Sequence, residues 1–297
     1  MIQSVVFDAL DRAEGCGSTQ VPLQSVAAFA RMRAEGASPQ IDLYQFSGGQ
    51  EKLAAQDGLA AELGALQNLA DIPSAMKDPS GRWGTFAVIA EGILHRTDKV
   101  KTPPHSYKDF LNPRYRGHIA FPTITNGYGT DFLVMLARAN GGSERQIEPG
   151  FKALAKIADG ATIFRATSEV PQLFAQGDVW IMPYDSTSAK HCKDAGLPVA
   201  FAAPDKGSVA SACTVCLASK SANLDLARAA ADQFLSVESQ TGLAQRLQWA
   251  PTNSRVQLPE ALAHQLPRPD QFVTLDMATM TASRPAWTER WNREIAH

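Results

Sequence analysis

No stretch of this 297-residue chain approaches the roughly 18 consecutive apolar residues that a bilayer-spanning helix requires, and no polybasic run occurs in it. Its formal net charge is −2, from 28 basic and 30 acidic side chains of mixed order, which argues against a nucleic-acid or anionic-membrane surface. The opening residues, Met1-Ile-Gln-Ser-Val-Val-Phe-Asp-Ala-Leu-Asp11, lack the basic region, apolar core and small-residue cleavage site of a secretory signal. Gly-x-Ser-x-Gly and Gly-x-x-x-x-Gly-Lys-Ser/Thr are both missing, so neither a nucleophile elbow nor a phosphate-cradling loop is expected. There is no internal repeat or low-complexity tract. The four cysteines offer one close pair, Cys213-Thr-Val-Cys216, inside an apolar run that reads as a strand. Without a second pair or a His cluster these read as two small core side chains rather than a zinc or redox motif. The six His residues are scattered singly.

What the chain does contain is a set of three strand-to-helix junctions in its middle third. They are Phe121-Pro-Thr-Ile-Thr-Asn-Gly-Tyr-Gly-Thr-Asp131, Phe164-Arg-Ala-Thr-Ser-Glu169 and Met182-Pro-Tyr-Asp-Ser-Thr-Ser188. Each follows a short apolar run and opens a helical pattern, which is where open α/β sheets bind ligands. The free N–H groups and positive dipole end of each helix face that edge. Three such junctions bearing Tyr, Asp, Asn, Ser and Thr read as half of a small-molecule site.

Helical spacing covers 5–14 and 25–34, a strand is expected over 41–46, and a helix over 50–62. Between them, Ser47-Gly-Gly-Gln50 is a turn where backbone can approach a ligand, although a plain turn reads equally from the same residues. Phe86 to Leu94 is an apolar strand long enough to run from one lobe into another. Strands and helices then alternate to Ala202, with strands near 119, 162, 179–182 and 199–202 and helices over 129–139, 148–157, 168–176 and 186–195. Gly141, Gly160, Gly177 and Gly196 fall where a left-handed residue ends a helix. This alternation implies an α/β fold with a mixed sheet covered by helices. A strand over 208–218 and a helix capped by Asn223 open the C-terminal part, expected to rejoin the first ninety residues.

Several segments together, Arg33-Ala-Glu-Gly-Ala-Ser-Pro-Gln-Ile-Asp42, Gly92-Ile-Leu-His-Arg-Thr-Asp-Lys-Val100, Gly177-Asp-Val-Trp-Ile181, Ala250-Pro-Thr-Asn253 and Trp287-Thr-Glu-Arg-Trp-Asn-Arg-Glu-Ile295, resemble the class II periplasmic solute-binding proteins of ABC transporters, in the polyamine (spermidine/putrescine)-binding-like family. The resemblance implies a type II periplasmic-binding fold of two α/β lobes joined by two crossing segments. These would lie near Ile89 to Gly92 and Ser211 to Cys213. Lobe I would be 1–90 plus 212–297 and lobe II 91–211. It also implies a monomeric, non-enzymatic periplasmic component that closes by a hinge on a small solute and delivers it to an ABC permease. No cofactor, nucleic acid or membrane insertion is implied. Such proteins begin with an exposed strand, so an N-terminally shortened chain is expected here.

The amine-binding carboxylates depart from the family. Asp131 matches the acidic position at the start of the lobe II helix, but its usual acidic neighbour is Tyr128. The Trp and Asp that polyamine binders carry on the crossing strand correspond to Ser211 and Cys213, which removes a cation–π partner and a counter-ion. A small polar, amine-containing solute other than a long polyamine is the expected ligand. Asp185 and Asp131 are candidate amine partners or helix N-terminal devices. Tyr128 and Tyr184 supply flat faces with a hydroxyl, or else pack. Asn126, Thr167 and Ser168 complete the lobe II set, the last two also expected as helix N-caps. Ser47, Gly48, Gly49, Trp83 and Trp249 join Ser211 and Cys213 from lobe I.

A ferric site as in related binders would want a neighbouring tyrosine pair, and Tyr44, Tyr107, Tyr115, Tyr128 and Tyr184 provide none. The rival from another class is a serine acyl-enzyme using Ser74-Ala-Met-Lys77, although neither Ser-Asp-Asn nor Lys-Thr-Gly accompanies it. A ligand-sensing module could use the same two lobes, but no DNA-binding segment is recognisable.

Overall fold

The computed structural model describes residues 2–205, 207–263, 266 and 271–296. Its helices are α1 (Asp8–Glu14), α2 (Ser25–Glu35), α3 (Gln50–Gln56), α4 (Gly127–Ala139), α5 (Glu148–Ala158), α6 (Val170–Gln176), α7 (Ser186–Asp194), α8 (Leu224–Leu235), α9 (Val237–Leu247), α10 (Glu260–Ala263) and α11 (Met277–Glu294). Its strands are β1 (Leu43–Phe46), β2 (Ala60–Ala61), β3 (Trp83–Arg96), β4 (Ala120–Pro122), β5 (Thr162–Phe164), β6 (Ile181–Asp185), β7 (Val199–Ala202), β8 (Ser208–Ala218), β9 (Ala250–Pro251) and β10 (Phe272–Val273). Two compact units result, one from 1–89 and 211–264, the other from 90–210 and 265–297.

In the first unit β8 pairs antiparallel with β1, from Leu43 opposite Leu217 to Phe46 opposite Thr214, and with β2. Period-2 alternation sends successive β8 side chains to opposite faces. Cys213, Val215 and Leu217 therefore enter a core with Phe86, Phe234 and Leu243, while Cys216 and Ala218 enter another with Tyr44, Phe46 and Trp83. That alternation keeps Cys213 and Cys216 on different faces, and both are free and buried. Asn223 sits at the N-cap position of α8 but makes no side-chain cap bond; its amide donates to Asp42 Oδ1 instead (3.3 Å). The helix expected to reach residue 62 stops at Gln56, before Gly58 at φ +70°.

In the second unit β3 lies between β6 and β7, antiparallel to both. β4 and β5 are parallel, and an isolated parallel bridge joins Ile119 to Ile181 beside them. The strand expected over 179–182 instead covers Ile181–Asp185, through a proline. Arg96 N–H donates to Trp180 C=O (2.9 Å), so the alternation of an antiparallel ladder places Pro183, opposite Ile93, at a position whose N–H would point away from β3. Pro183 thus costs that ladder nothing. The expected left-handed glycines 141, 160, 177 and 196 all have φ between +78° and +92°.

The C-terminal segment departs from the division read from the sequence, which put all of 212–297 in lobe I. Trp287 and Trp291 of α11, with Ile295 beyond it, pack among Phe121, Phe132 and Phe151 of the second unit. Trp291 meets Phe121 edge-on at 5.8 Å, and Arg290 lies 4.2 Å over the Phe151 ring while its guanidinium pairs with Glu148 (2.6 Å). The physical reason is aromatic burial: two indoles one turn apart form a stripe that α4 and α5 accommodate. Trp291 is only 2% exposed. Trp291→Ala is therefore expected to destabilise the second unit by about 3–5 kcal/mol, read as a lower urea midpoint.

Candidate functional site

The second unit brings three carboxyl groups together from three elements. Glu91 stands on β3 directly opposite Asp185 at the end of β6. The ladder alternation makes this a non-hydrogen-bonded pair, the kind in which facing side chains come closest. Asp131 comes from α4, where it shares a helix face with Tyr128 three residues earlier. α4 reaches this place by close backbone contact: a Cβ added at Gly129 would lie 2.1 Å from the Thr123 carbonyl oxygen, so only glycine fits.

Glu91 and Asp131 are hydrogen bonded to each other, which requires a shared proton. Burial raises the Glu91 pKa well above the usual carboxylate range, and the neighbouring Asp131 and Asp185 raise it further. Burial also raises Asp131, to about 7. Asp185 is raised by burial, against which the bonds it accepts from Ser188 and the neighbouring Tyr128 hydroxyl act. Among the described residues no lysine or arginine forms a salt bridge with any of the three, although the Arg284 charge acts on Asp131 and lowers its pKa.

Tyrosines stand near this group. The Tyr128 hydroxyl stands near Asp185, whose charge raises its pKa beyond the effect of burial, and the Tyr128 ring centre lies 4.3 Å from that of Tyr184. Tyr184 is buried, with its hydroxyl 2.6 Å from Thr167 Oγ1. Tyr107 stands near enough to Glu91 and Asp131 for their charge to raise its pKa beyond the effect of burial.

The structure separates several roles that the sequence left open. Asp185 is an N-cap, its carboxylate accepting from Ser188 N–H (2.8 Å) and Oγ (3.0 Å), and it also belongs to the carboxyl group. Asn126 caps α4 through Tyr128 N–H (3.1 Å). The expectation that Thr167 and Ser168 act as N-caps fails. Glu169 reaches back to the N–H groups of Arg165 and Ala166 (2.9 and 2.7 Å), and Thr167 turns to Tyr184 while Ser168 is exposed. Glu91 and Tyr107 were not singled out from sequence. The signal for Glu91 was present, as the one acid within the apolar run from Phe86 to Leu94.

The other candidates lie in the first unit. Ser47 and Gly48 are exposed, and Gly49, at φ +90°, precedes α3. Trp83 is buried with Tyr44 and Phe46, and half-buried Trp249 has its ring centre 6.1 Å from that of Phe86. Ser211 is half-buried on β8. Cys213 is buried, and burial pushes its thiol up to about 12. Ser74 and Lys77 do not form a nucleophile and base. Ser74 is exposed on a 3-10 turn that ends before an extended Lys77, whose ammonium donates to the Leu69 carbonyl (2.8 Å). Among the described residues no group of His, Cys, Asp and Glu suited to a metal ion occurs, and no helix is long and apolar enough to cross a membrane.

Known structures share this architecture. A protein of Bordetella parapertussis described as an extracellular solute-binding protein superposes with a TM-score of 0.86 at 22% identity, covering 99% of this chain and 94% of its own. An ABC transporter protein of Clostridium perfringens gives 0.79 at 20%, with 99% and 96% covered. A periplasmic binding protein of Actinobacillus pleuropneumoniae with fructose-6-phosphate bound gives 0.71 at 17%, with 99% and 95% covered. At such identities the likeness is one of fold. The family model for bacterial extracellular solute-binding proteins matches residues 37–281, most of the chain, and the protein belongs to that family.

Proposed function

We propose that the protein is the periplasmic solute-capturing component of an ABC importer, that its solute is a small polar organic molecule bearing a protonated amine, and that it hands this solute to a permease. The carboxyl group of Glu91, Asp131 and Asp185 carries the reading. Three acids gathered together, Glu91 and Asp185 buried and Asp131 partly so, are costly unless protonated or met by a cation, and among the described residues the only basic charge felt by them is that of Arg284 on Asp131. An ammonium group supplies three donors and one positive charge, which suits the acceptors that Glu91 and Asp131 expose once their shared proton leaves. Tyr128 and Tyr184, with ring planes tilted by 49°, add aromatic surface near it. A phosphate such as that of fructose-6-phosphate would meet like charge here.

The long-polyamine variant of this reading has less support. Ser211 and Cys213 stand where polyamine binders carry an aromatic and an acid, and neither can pair with a second ammonium. Amino acids, opine-like amines and thiamine-like cations remain within the class.

The screen that tests this is a thermal-shift series over polyamines, amino acids, aminophosphonates, opines, thiamine and fructose-6-phosphate, because a solute that binds only the folded state raises the melting temperature. An amine-bearing solute is expected to give the largest shift. A shift with phosphates alone would sink the amine assignment.

For the amine identified, Asp131→Asn and Glu91→Gln are each expected to weaken binding at pH 8 by about ten- to hundredfold, the loss of one charge-assisted hydrogen bond. Wild-type affinity should rise with pH up to about 7, by at most about tenfold per unit, because binding displaces one proton. Titration calorimetry in buffers of different ionisation enthalpy reads both quantities, and a pH-independent affinity between 5 and 8 would contradict the shared-proton arrangement.

The solute-free protein should show the opposite dependence. Carboxyl groups with raised folded-state pKa hold more protons folded than unfolded between about pH 4 and 7, so their contribution to stability falls as pH rises through that window. Glu91→Gln is thus expected to be more stable than wild type at pH 8 but not at pH 4.5, in urea unfolding at the two values.

A further inference from the structure

The face that α11 turns to the second unit carries one residue out of keeping with the rest. Met280, Arg284, Trp287, Trp291 and Ile295 recur at four- and three-residue spacing, which puts them on one side of the helix. The four apolar members are at most 6% exposed and lie in the core with Phe121, Phe132 and Phe151, whereas Arg284 is half-buried among them. Its guanidinium forms no hydrogen bond or ion pair among the described residues, unlike Arg290 on the same helix, which pairs with Glu148 and Glu294.

Two fixed points place Arg284 along α4. Just before α11 begins, Thr274 C=O accepts from Arg138 Nη2 at the far end of α4 (3.2 Å). Near the other end of α11, Trp291 meets Phe121 on β4, which precedes α4. The helix therefore runs back along α4 in the opposite sense. Arg284 lies seven residues after Met277, and Asp131 seven residues before Arg138, about 10 Å of rise in each helix, so the two come level. The Arg284 charge is accordingly felt at Asp131. Asp131 is half-buried as well, so both groups keep part of their surface open.

An unpaired guanidinium beside acids that call for a cation is a poor design for a plain amine, because it repels the charge those acids attract. A solute with both charges turns the same arrangement to advantage. We propose that Arg284 binds a carboxylate of the solute, which is thus an amino acid or a related zwitterion, its ammonium on Glu91 and Asp131 and its carboxylate on the guanidinium fork. This rests on the amine reading of the Glu91, Asp131 and Asp185 group. A carboxylate matches the fork in shape and the guanidinium in charge. A doubly charged phosphate or phosphonate would set more negative charge beside Asp131 than one arginine neutralises.

The test uses the full chain and matched pairs, lysine and cadaverine, ornithine and putrescine, arginine and agmatine, alanine and ethylamine, in which the second member is the first without its carboxylate. In titration calorimetry at pH 8, at least one amino acid is expected to bind wild type at least tenfold more tightly than its amine, the worth of a charge-assisted hydrogen bond. Arg284→Gln should weaken that amino acid at least tenfold and tighten the paired amine, which loses a repelling charge, whereas a merely structural role would weaken both together. Arg284→Lys, with the charge but not the fork, should lose part of the preference, and it gives this readout whether or not the glutamine variant folds. Amines that bind as tightly as the amino acids, or equal losses in Arg284→Gln, overturn the proposal and leave the amine reading standing. If no member of any pair binds, the proposal falls as well. If succinate, which has no amine, binds as tightly as the amino acids, the amine reading falls with it.

Discussion

The second unit is organised around a conflict of charge. Glu91 and Asp185 face each other across an antiparallel pair, where like charges destabilise, and Asp131 is brought against them by α4. Sequence that favoured stability alone would place an apolar or basic residue at one of these positions. The chain instead relieves the conflict with a proton between Glu91 and Asp131 and with the N–H and hydroxyl of Ser188 on Asp185. Such an arrangement holds its charge only loosely, since one proton separates its relieved form from a strongly cation-seeking one.

That looseness requires rigid supports. Glu91 is fixed by a strand hydrogen bonded on both flanks, Asp185 by its own role as the cap of α7, and Asp131 by a helix set down against the Thr123 carbonyl at Gly129. Behind α4 stands an aromatic core of Phe121, Phe132, Phe151, Trp287 and Trp291. Burial of that apolar surface offsets the cost of concentrating acid at the sheet edge. The protein belongs to a family of extracellular solute-binding proteins, and under the proposed amine reading packing would supply stability and the small polar group recognition.

Much of this was legible in the sequence where the signal is local. Helix ends marked by Gly141, Gly160, Gly177 and Gly196, the alternation of strands and helices, and the junctions at Asn126, Thr167 and Asp185 all depend on residues close in the chain. What was not legible depends on partners far away. Thr167 has the chemistry of an N-cap, but Tyr184 claims its hydroxyl and Glu169 does the capping. The C-terminal tryptophans carry no mark of which unit they join, because any aromatic stripe will bury where room exists. Pro183 made β6 look shorter than it is, since the pattern alone cannot show that its missing N–H faces away from β3.

Glu91 illustrates why the site itself was only half visible. An acid in an apolar strand reads as an anomaly, and its meaning depends on what stands opposite. With a lysine or arginine across the ladder it would have been a structural ion pair, and the carboxyl of Asp131 would have had no reason to share a proton. With Asp185 opposite and Asp131 alongside, the same residue becomes an unpaid electrostatic demand that a cation from outside can meet. Asp185 alone cannot create that demand, because its bonds to Ser188 already satisfy much of it. The amine reading therefore rests on Glu91 and Asp131 acting together, and Asp185 contributes chiefly by keeping a second negative group within reach of them.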